Sequence, residues 1–265
     1  MKNKYDEIHA RLAKEGKFDT YTTPMNEDHK KVDDAHVYLP KNIFVKMGYG
    51  LFRGFVTCVQ PLVNFFAFGL KVKGRKNLKK VKTGAITVAN HVHYLDCIAI
   101  RQACFPKSFY TTAAPHNNKK GVAGSFLRAA GELPLGETFS AQKNFNQAVA
   151  TLLKKKKLIN FYAEQSLWFR YEKSRPYKPG AFRFAVTNNV PVVPIVLCFK
   201  ELNKFERVFR RQKKLVVIIQ EPIYPNTELD TKEQVKDLQA RCQKVYDDTI
   251  IDFYGYDKNT YSYYE

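Results

Sequence analysis

The residues best suited to chemistry lie where an apolar run, Ile86-Thr87-Val88-Ala89, ends in Asn90-His91-Val92-His93-Tyr94-Leu95-Asp96. An imidazole with one ring nitrogen held protonated by a carboxylate can take a hydroxyl proton at the other, which is general-base chemistry. His91 and Asp96 are five residues apart, about 140° around a regular helix. They can pair only if His91 sits on a strand-to-helix turn and Asp96 reaches back from the first helical turn. His93 competes, because a spacing of three residues makes it a direct helical neighbour of Asp96. The plainer reading is a helix N-terminus with Asn90 as cap and Asp96 as an acidic first-turn residue. His91-x-His93 is also half of a metal-ligand pattern. His9, His29 and His36 precede it and His116 alone follows it, too few imidazoles to complete a zinc site.

Nucleophilic alternatives are weaker. Cys97 and Cys104 follow the cluster, but a small buried thiol packs as an apolar residue unless something lowers its pKa. No Gly-x-Ser-x-Gly elbow occurs. The five cysteines, at 58, 97, 104, 198 and 242, are odd in number and contain no Cys-x-x-Cys pair. That spacing fits free thiols in a reducing compartment and excludes a disulfide scaffold or a cysteine-based zinc site.

Holding His91 and Asp96 together requires a strand that stops and a helix that starts between them. Strands are expected at 85–89, 108–112, 158–162, 190–197 and 215–220, with helices at 96–105, 122–130, 141–155 and 181–187. Continuous apolar strands alternating with helices imply an α/β fold, a mostly parallel central sheet flanked by helices. In such sheets ligands bind beyond the C-terminal strand ends, where this cluster falls. A terminal helix is expected over 231–253, followed by a Tyr-rich tail to which no function is given. Residues 1–43 read as a polar leader broken by Pro24 and Pro40, and the charge-rich stretch 1–31 has no apolar segment of the kind a secretory signal needs.

Segment 44–70 is different. Residues 54–70 carry no charge, yet Gln60, Pro61 and Asn64 interrupt them, so a break at Pro61 is expected. Flanked by Lys46, Arg53, Lys71 and Lys73, the segment reads either as an amphipathic or membrane-interfacial helix pair or as an ordinary buried core helix. The divisions expected are therefore 1–43, 44–70, an α/β domain over 71–225, and 226–265. With 44 Lys and Arg against 25 Asp and Glu, the formal charge of +19 suits an anionic membrane surface, an acidic substrate or nucleic acid. A mean hydropathy of −0.41 excludes a polytopic membrane protein, and 20 Phe with 16 Tyr exclude a disordered chain.

Asn90-His91-x4-Asp96 after an apolar strand resembles the first motif of the glycerolipid acyltransferase family, typified by 1-acylglycerol-3-phosphate acyltransferases. Further stretches follow in that family's order. Gly131-Glu132-Leu133-Pro134-Leu135 is similar to the second block, and Asn160-Phe161-Tyr162-Ala163-Glu164-Gln165-Ser166 to the third, whose usual form is Phe-Pro-Glu-Gly-Thr-Arg. Lys178-Pro179-Gly180 and Val190 to Ile195 are similar to the fourth, within a resemblance covering about residues 65–225.

The resemblance implies an O-acyltransferase with His91 as general base and Asp96 orienting it. The donor would be an acyl thioester of coenzyme A or acyl carrier protein, and the acceptor a lysophospholipid. It implies no cofactor and no metal. Asn90, Glu164, Gln165, Ser166, Arg170, Arg175 and Gly180 would bind the acceptor or shape the site. Two arginines expected to hold the acceptor's phosphate are missing, since Gly136-Glu137 stands where the second block has Asp-Arg, and Leu167 where the third has Arg. Arg170, Arg175, Lys178, Arg183, Lys119, Lys120 and Arg128 are the available replacements. Localisation at the cytoplasmic face of a membrane, peripheral or monotopic, follows from the same resemblance together with segment 44–70. A basic nucleic-acid-binding module and a catalytically inactive lipid-binding relative are the alternatives; the first lacks any recognisable nucleic-acid motif, so no nucleic-acid partner is expected.

Overall fold

The computed structural model describes residues 5–22 and 28–264; Pro24, expected to break the leader, lies outside them. In chain order the elements are α1 (Asp6–Lys14), α2 (Ile43–Phe68), β1 (Lys71–Lys73), β2 (Ala85–Ala89), α3 (Asp96–Cys104), β3 (Phe109–Ala113), α4 (Gly121–Ala130), β4 (Glu132–Pro134), α5 (Phe139–Lys154), β5 (Leu158–Tyr162), α6 (Gly180–Thr187), β6 (Val192–Lys200), α7 (Glu206–Phe209), β7 (Lys214–Ile219) and α8 (Thr231–Tyr254). The strands form one seven-stranded sheet in the order β1-β7-β6-β2-β5-β3-β4. Every neighbouring pair is parallel except β6 and β7.

Strand composition explains that layering. β2 is wholly buried and β6 is buried in all but its last residue, so both faces must be covered. On one face lie α3, Leu78 and Phe68 at the end of α2, packed on Ala85, Ala89, Leu158 and Ile195. On the other, α5, α6 and α8 supply Phe145, Phe182, Leu238, Cys242 and Tyr246 against Ile86, Val88 and Ile159. Residues of the 226–265 segment thus share the core of the α/β unit. β2 and β5 fall at their expected bounds, while β1 and β4 went unpredicted. Both are three-residue edge strands, too short to show a period.

The polar leader contains α1, whose Leu12 and Ala13 join Phe18 and Trp168 in a separate small core. Tyr263 of the Tyr-rich tail packs on the same core.

Helix α2 runs unbroken through Pro61 for 26 residues, which corrects the expected helix pair. An interior proline costs about 3 kcal/mol, and contacts on both sides of it hold the helix together. Arg53 donates to Ala129 O at 2.7 Å, and Asn64 donates to Ile98 O at 3.2 Å and Gln102 Oε1 at 2.5 Å. Its faces are inverted relative to a helix on a soluble domain. Phe44, Met47, Leu51, Phe55, Leu62 and Phe66 are exposed and, at about 100° per residue, share an arc of about 100°. Arg53, Thr57, Gln60 and Asn64 lie on the opposite side, towards the protein. The helix is long and apolar enough to cross a membrane, with only 17% of its apolar window buried, so the buried-core reading of segment 44–70 fails.

Candidate active site

β2 ends at Ala89, and the chain turns before α3 begins at Asp96. Asn90 stays in the core. Its side-chain amide donates to Leu197 O at 2.9 Å and accepts from Leu197 N at 2.8 Å, continuing the β2–β6 pairing one residue past the strand. Asn90 therefore clamps the sheet and caps no helix. The turn it starts brings His91 Nδ1 to 2.9 Å from Asp96 Oδ2. That oxygen also accepts from the backbone N–H of Val92 at 2.9 Å and of His93 at 3.1 Å. A carboxylate oxygen receiving two N–H groups is an acceptor, so the hydrogen of the His91 contact sits on Nδ1 and the lone pair is on Nε2. Nε2 of His91 has no hydrogen-bond partner among the described residues, and the side chain keeps 19% of its exposure while that of Asp96 is fully buried.

His93 is placed differently. It precedes α3, so the helical spacing that would set it beside Asp96 does not apply. Its Nδ1 accepts from Leu95 N at 3.1 Å, and its ring packs against Phe68 at 4.8 Å and Phe169 at 5.2 Å. Burial lowers its pKa; the Asp96 charge opposes that and the Arg170 charge adds to it.

Behind His91 lies a buried network. Glu164 Oε2 accepts from His91 N at 3.1 Å and from Arg175 Nη2 at 2.6 Å. Oε1 of the same carboxylate accepts from the Tyr246 hydroxyl of α8 at 2.6 Å. Arg175 is fully buried and also donates to Ser166 Oγ at 2.9 Å, Ser166 O at 2.7 Å and Phe18 O at 3.0 Å. Ser166 Oγ in turn donates to Phe18 O at 3.1 Å. Arg175 and Ser166 are thereby committed to architecture, which corrects the expectation that Arg175 could replace a missing phosphate-binding arginine.

The remaining expected residues divide. Gln165 is exposed at φ +69°, the left-handed conformation that explains the glycine usual at this place in the family. Arg170 is half-buried at φ +60°, its N–H held by Val92 O at 2.8 Å and its guanidinium over the Phe169 ring at 5.2 Å. Gly180 opens α6 on the sheet face opposite α3, where an added Cβ would meet nothing within 4 Å. Of the other replacement cations, Lys178 pairs with Asp19 at 3.0 Å, Lys120 pairs with Asp28, and Arg128 is held by Asn118 Oδ1 at 2.7 Å; Lys119 and Arg183 are exposed.

The missing arginines have structural successors. Glu137 accepts from Val32 N at 2.7 Å and pairs with His29 Nε2 at 3.0 Å, fastening the N-terminal segment over the end of β4. A Cβ on Gly136 would come within 2.3 Å of Gln142 N, so no larger residue fits there. Leu167 is buried, and its carbonyl accepts from Thr22 Oγ1 at 3.0 Å.

Three residues went unrecognised in the sequence. Tyr162 stacks on the His91 ring at 4.0 Å; its place in the third block was the available signal. Tyr246 carries no local signal at all. Glu132 shares a cross-sheet row with Thr111, Asn160 and Thr87 on the α3 face, and burial pushes its pKa up to about 7. Burial also pushes the Cys97 thiol up to about 11 and Cys104 to about 12, so both are protonated near neutral pH and unsuited to nucleophilic attack. Among the described residues no group of three or more His, Cys, Asp or Glu side chains could hold a metal ion. The arrangement can accept a proton at His91 Nε2 and stabilise the resulting imidazolium through Asp96.

Comparison with known proteins extends this picture. The family model for acyltransferases matches residues 69–198. The 1-acyl-sn-glycerol-3-phosphate acyltransferase of Haemophilus influenzae is 27% identical over 194 residues, covering 70% of this chain and 76% of its own. The Escherichia coli K12 enzyme of the same name is 25% identical over 197 residues, with 70% and 75% covered. The crystal structure of the 1-acyl-sn-glycerophosphate (LPA) acyltransferase PlsC from Thermotoga maritima has the same fold. It superposes with a TM-score of 0.56 at 17% identity, over 83% of this chain and 86% of that one.

Proposed function

We propose that the chain is a member of the glycerolipid acyltransferase family and moves a fatty acyl group from an acyl thioester to the hydroxyl of a lysophospholipid such as 1-acylglycerol-3-phosphate. The observation that carries this reading is the 2.9 Å contact between His91 Nδ1 and Asp96 Oδ2, which leaves Nε2 as a base on a ring solvent can reach. His91 Nε2 takes the acceptor's hydroxyl proton as that oxygen forms a bond to the thioester carbonyl carbon. Asp96 stabilises the imidazolium. The tetrahedral intermediate then expels the thiolate, which recovers the proton from His91 and leaves as free thiol of coenzyme A or acyl carrier protein. No resident cofactor takes part, and the thioester is a co-substrate.

To Arg170, whose charge acts on His93, we assign the contact with an anionic acceptor. Asn90, Glu164, Ser166 and Arg175 hold the turn on which His91 stands. The inverted faces of α2 support a peripheral or monotopic position on a membrane; the formal charge of +19 suits an anionic one, and we assign the protein to its cytoplasmic face. Phe68, at the end of that helix, packs on His93 and so brings the site to the surface where a lysophospholipid resides.

The test is thiol release by wild type and His91→Ala from palmitoyl-coenzyme A or palmitoyl-acyl carrier protein, with and without lysophosphatidic acid in mixed micelles. Acceptor-dependent release that the substitution abolishes is the expected result. Release that survives His91→Ala overturns the mechanism, and no release with either donor overturns the assignment of donor and acceptor.

A further inference from the structure

The inner face of α2 and the N-terminal edge of the sheet enclose a cavity of about 140 Å3, lined in part by Arg53, Thr57, Gln60, Arg101, Lys107 and Tyr110. It lies where the chain leaves α3 and enters β3, whereas His91 and Glu164 follow the C-terminal ends of β2 and β5. The cavity is therefore separate from the site described above. Its lining residues include two arginines and a lysine and no Asp or Glu; the lysine, Lys107, already donates to Val81 O at 2.9 Å.

The two arginines are fixed but not neutralised. Arg53 Nε donates to Ala129 O at 2.7 Å, its Nη1 meets the Tyr110 hydroxyl, and its guanidinium lies over the Tyr110 ring at 4.4 Å. Arg101 Nη2 donates to Ala130 O. Nη2 of Arg53, and Nε and Nη1 of Arg101, have no acceptor among the described residues. Burial holds the Arg101 pKa below its ordinary value, and the Arg53 charge acts in the same direction. Two like charges lining one cavity, with no Asp or Glu in that lining among the described residues, cost free energy that a bound anion would recover. A tetrahedral anion fits, since one water needs roughly 10–15 Å3.

We propose that this cavity binds a phosphate group, the donors being the forked guanidiniums of Arg53 and Arg101. Forked donors suit phosphate oxygens better than point charges do. Two sources share that chemistry, free phosphate and the headgroup of an anionic lipid. The geometry favours the lipid. An interfacial helix buries its apolar face about 5–10 Å into the bilayer, and a helix is about 10–12 Å across. The opposite, polar face of α2 then lies at the level of the lipid phosphates. This preference rests on the membrane reading of α2; the phosphate site itself does not.

The test measures binding without turnover, so failure of the acyl-transfer reading leaves it untouched. Wild type, Arg101→Gln, Arg101→Lys and Gly54→Leu are compared by melting temperature with inorganic phosphate and by co-sedimentation with vesicles of phosphatidylglycerol or phosphatidylcholine. Arg101→Lys keeps the charge and removes the fork. Gly54→Leu narrows the cavity at a lining position where an added Cβ meets nothing within 4 Å, and leaves both arginines in place. A free-phosphate site predicts stabilisation by phosphate that Arg101→Lys and Gly54→Leu both reduce severalfold. A lipid site predicts phosphatidylglycerol binding weakened about tenfold in Arg101→Lys, with phosphatidylcholine binding unchanged. If Arg101→Lys and Gly54→Leu match wild type in both arms and Arg101→Gln alone is weaker, the effect is general surface charge and the proposal falls. Melting without phosphate verifies that each variant folds, and Gly54→Leu tests the cavity even if the Arg101 variants do not fold.

Discussion

Asp96 Oδ2 lies 2.9 Å from His91 Nδ1 and at the same time accepts the backbone N–H groups of Val92 and His93. One oxygen thus sets the shape of the turn and the tautomer of the imidazole. Asp96→Asn keeps an acceptor for the turn but loses the charge that stabilises a protonated His91. A fall in kcat of about 10²–10⁴-fold is expected, with the acceptor KM little changed. Steady-state thiol release measures both. A rise in KM at unchanged kcat would assign Asp96 to binding.

Glu164 and Arg175 form an ion pair with both side chains almost wholly buried, joined to His91 through its backbone N–H and to α8 through Tyr246. Removing one charge leaves the other buried and unpaired. Glu164→Gln should cost about 3–5 kcal/mol of stability. Denaturant unfolding reads this directly, and a loss below about 1 kcal/mol would show that the pair does not hold the site together.

The Glu132 carboxyl, held by burial at a pKa of about 7 against an ordinary 4.5, gives stability a definite pH dependence. The folded state keeps this proton to higher pH than the unfolded state does. Stability from this group is therefore full below pH 4.5 and declines as pH rises to about 7, by about 3 kcal/mol. Glu132→Gln removes the titration. The variant should gain on wild type across that interval and hold a constant advantage above it. A difference in stability that stays flat from pH 4.5 to 7.5 would count against a buried, proton-retaining Glu132.

Leu51 and Phe55 are 76% and 63% exposed on the outer stripe of α2, so polar substitution there should leave the fold alone. Leu51→Asp and Phe55→Asp should each weaken binding to anionic vesicles at least tenfold, the scale of burying one large apolar side chain. The melting temperature without lipid should stay within about 2 °C of wild type. Unchanged vesicle binding would mean that this face covers a protein partner.

Much of this architecture was legible in the chain. Continuous apolar runs marked β2, β5 and β6, and 3.6-residue periods marked the helices between them, because both patterns are read over a few adjacent residues. The His91–Asp96 pair was legible for the same reason: five residues around a strand end leave few ways to meet. Gln165 and Leu167 were visible as departures from the family's third block, but their meaning was not. Gln165 retains the left-handed backbone that a glycine would ordinarily occupy, while Leu167 lies beneath the N-terminal segment.

Sequence by itself determined the fold class, the strand end at which His91 and Asp96 meet, and the apolar character of α2. Tertiary structure alone decided which charges are available. Arg175 looks as free as Arg170 in the chain, yet it is bound to Glu164, Ser166 and Phe18 O. Glu137 is bound to residues more than a hundred positions away. Tertiary structure also decided that α2 continues through Pro61 and turns its polar side inward. Periodicity reports that a helix has two faces. Which face meets the protein depends on partners such as Ala129, Ile98 and Gln102, which are remote in sequence and become neighbours only on folding.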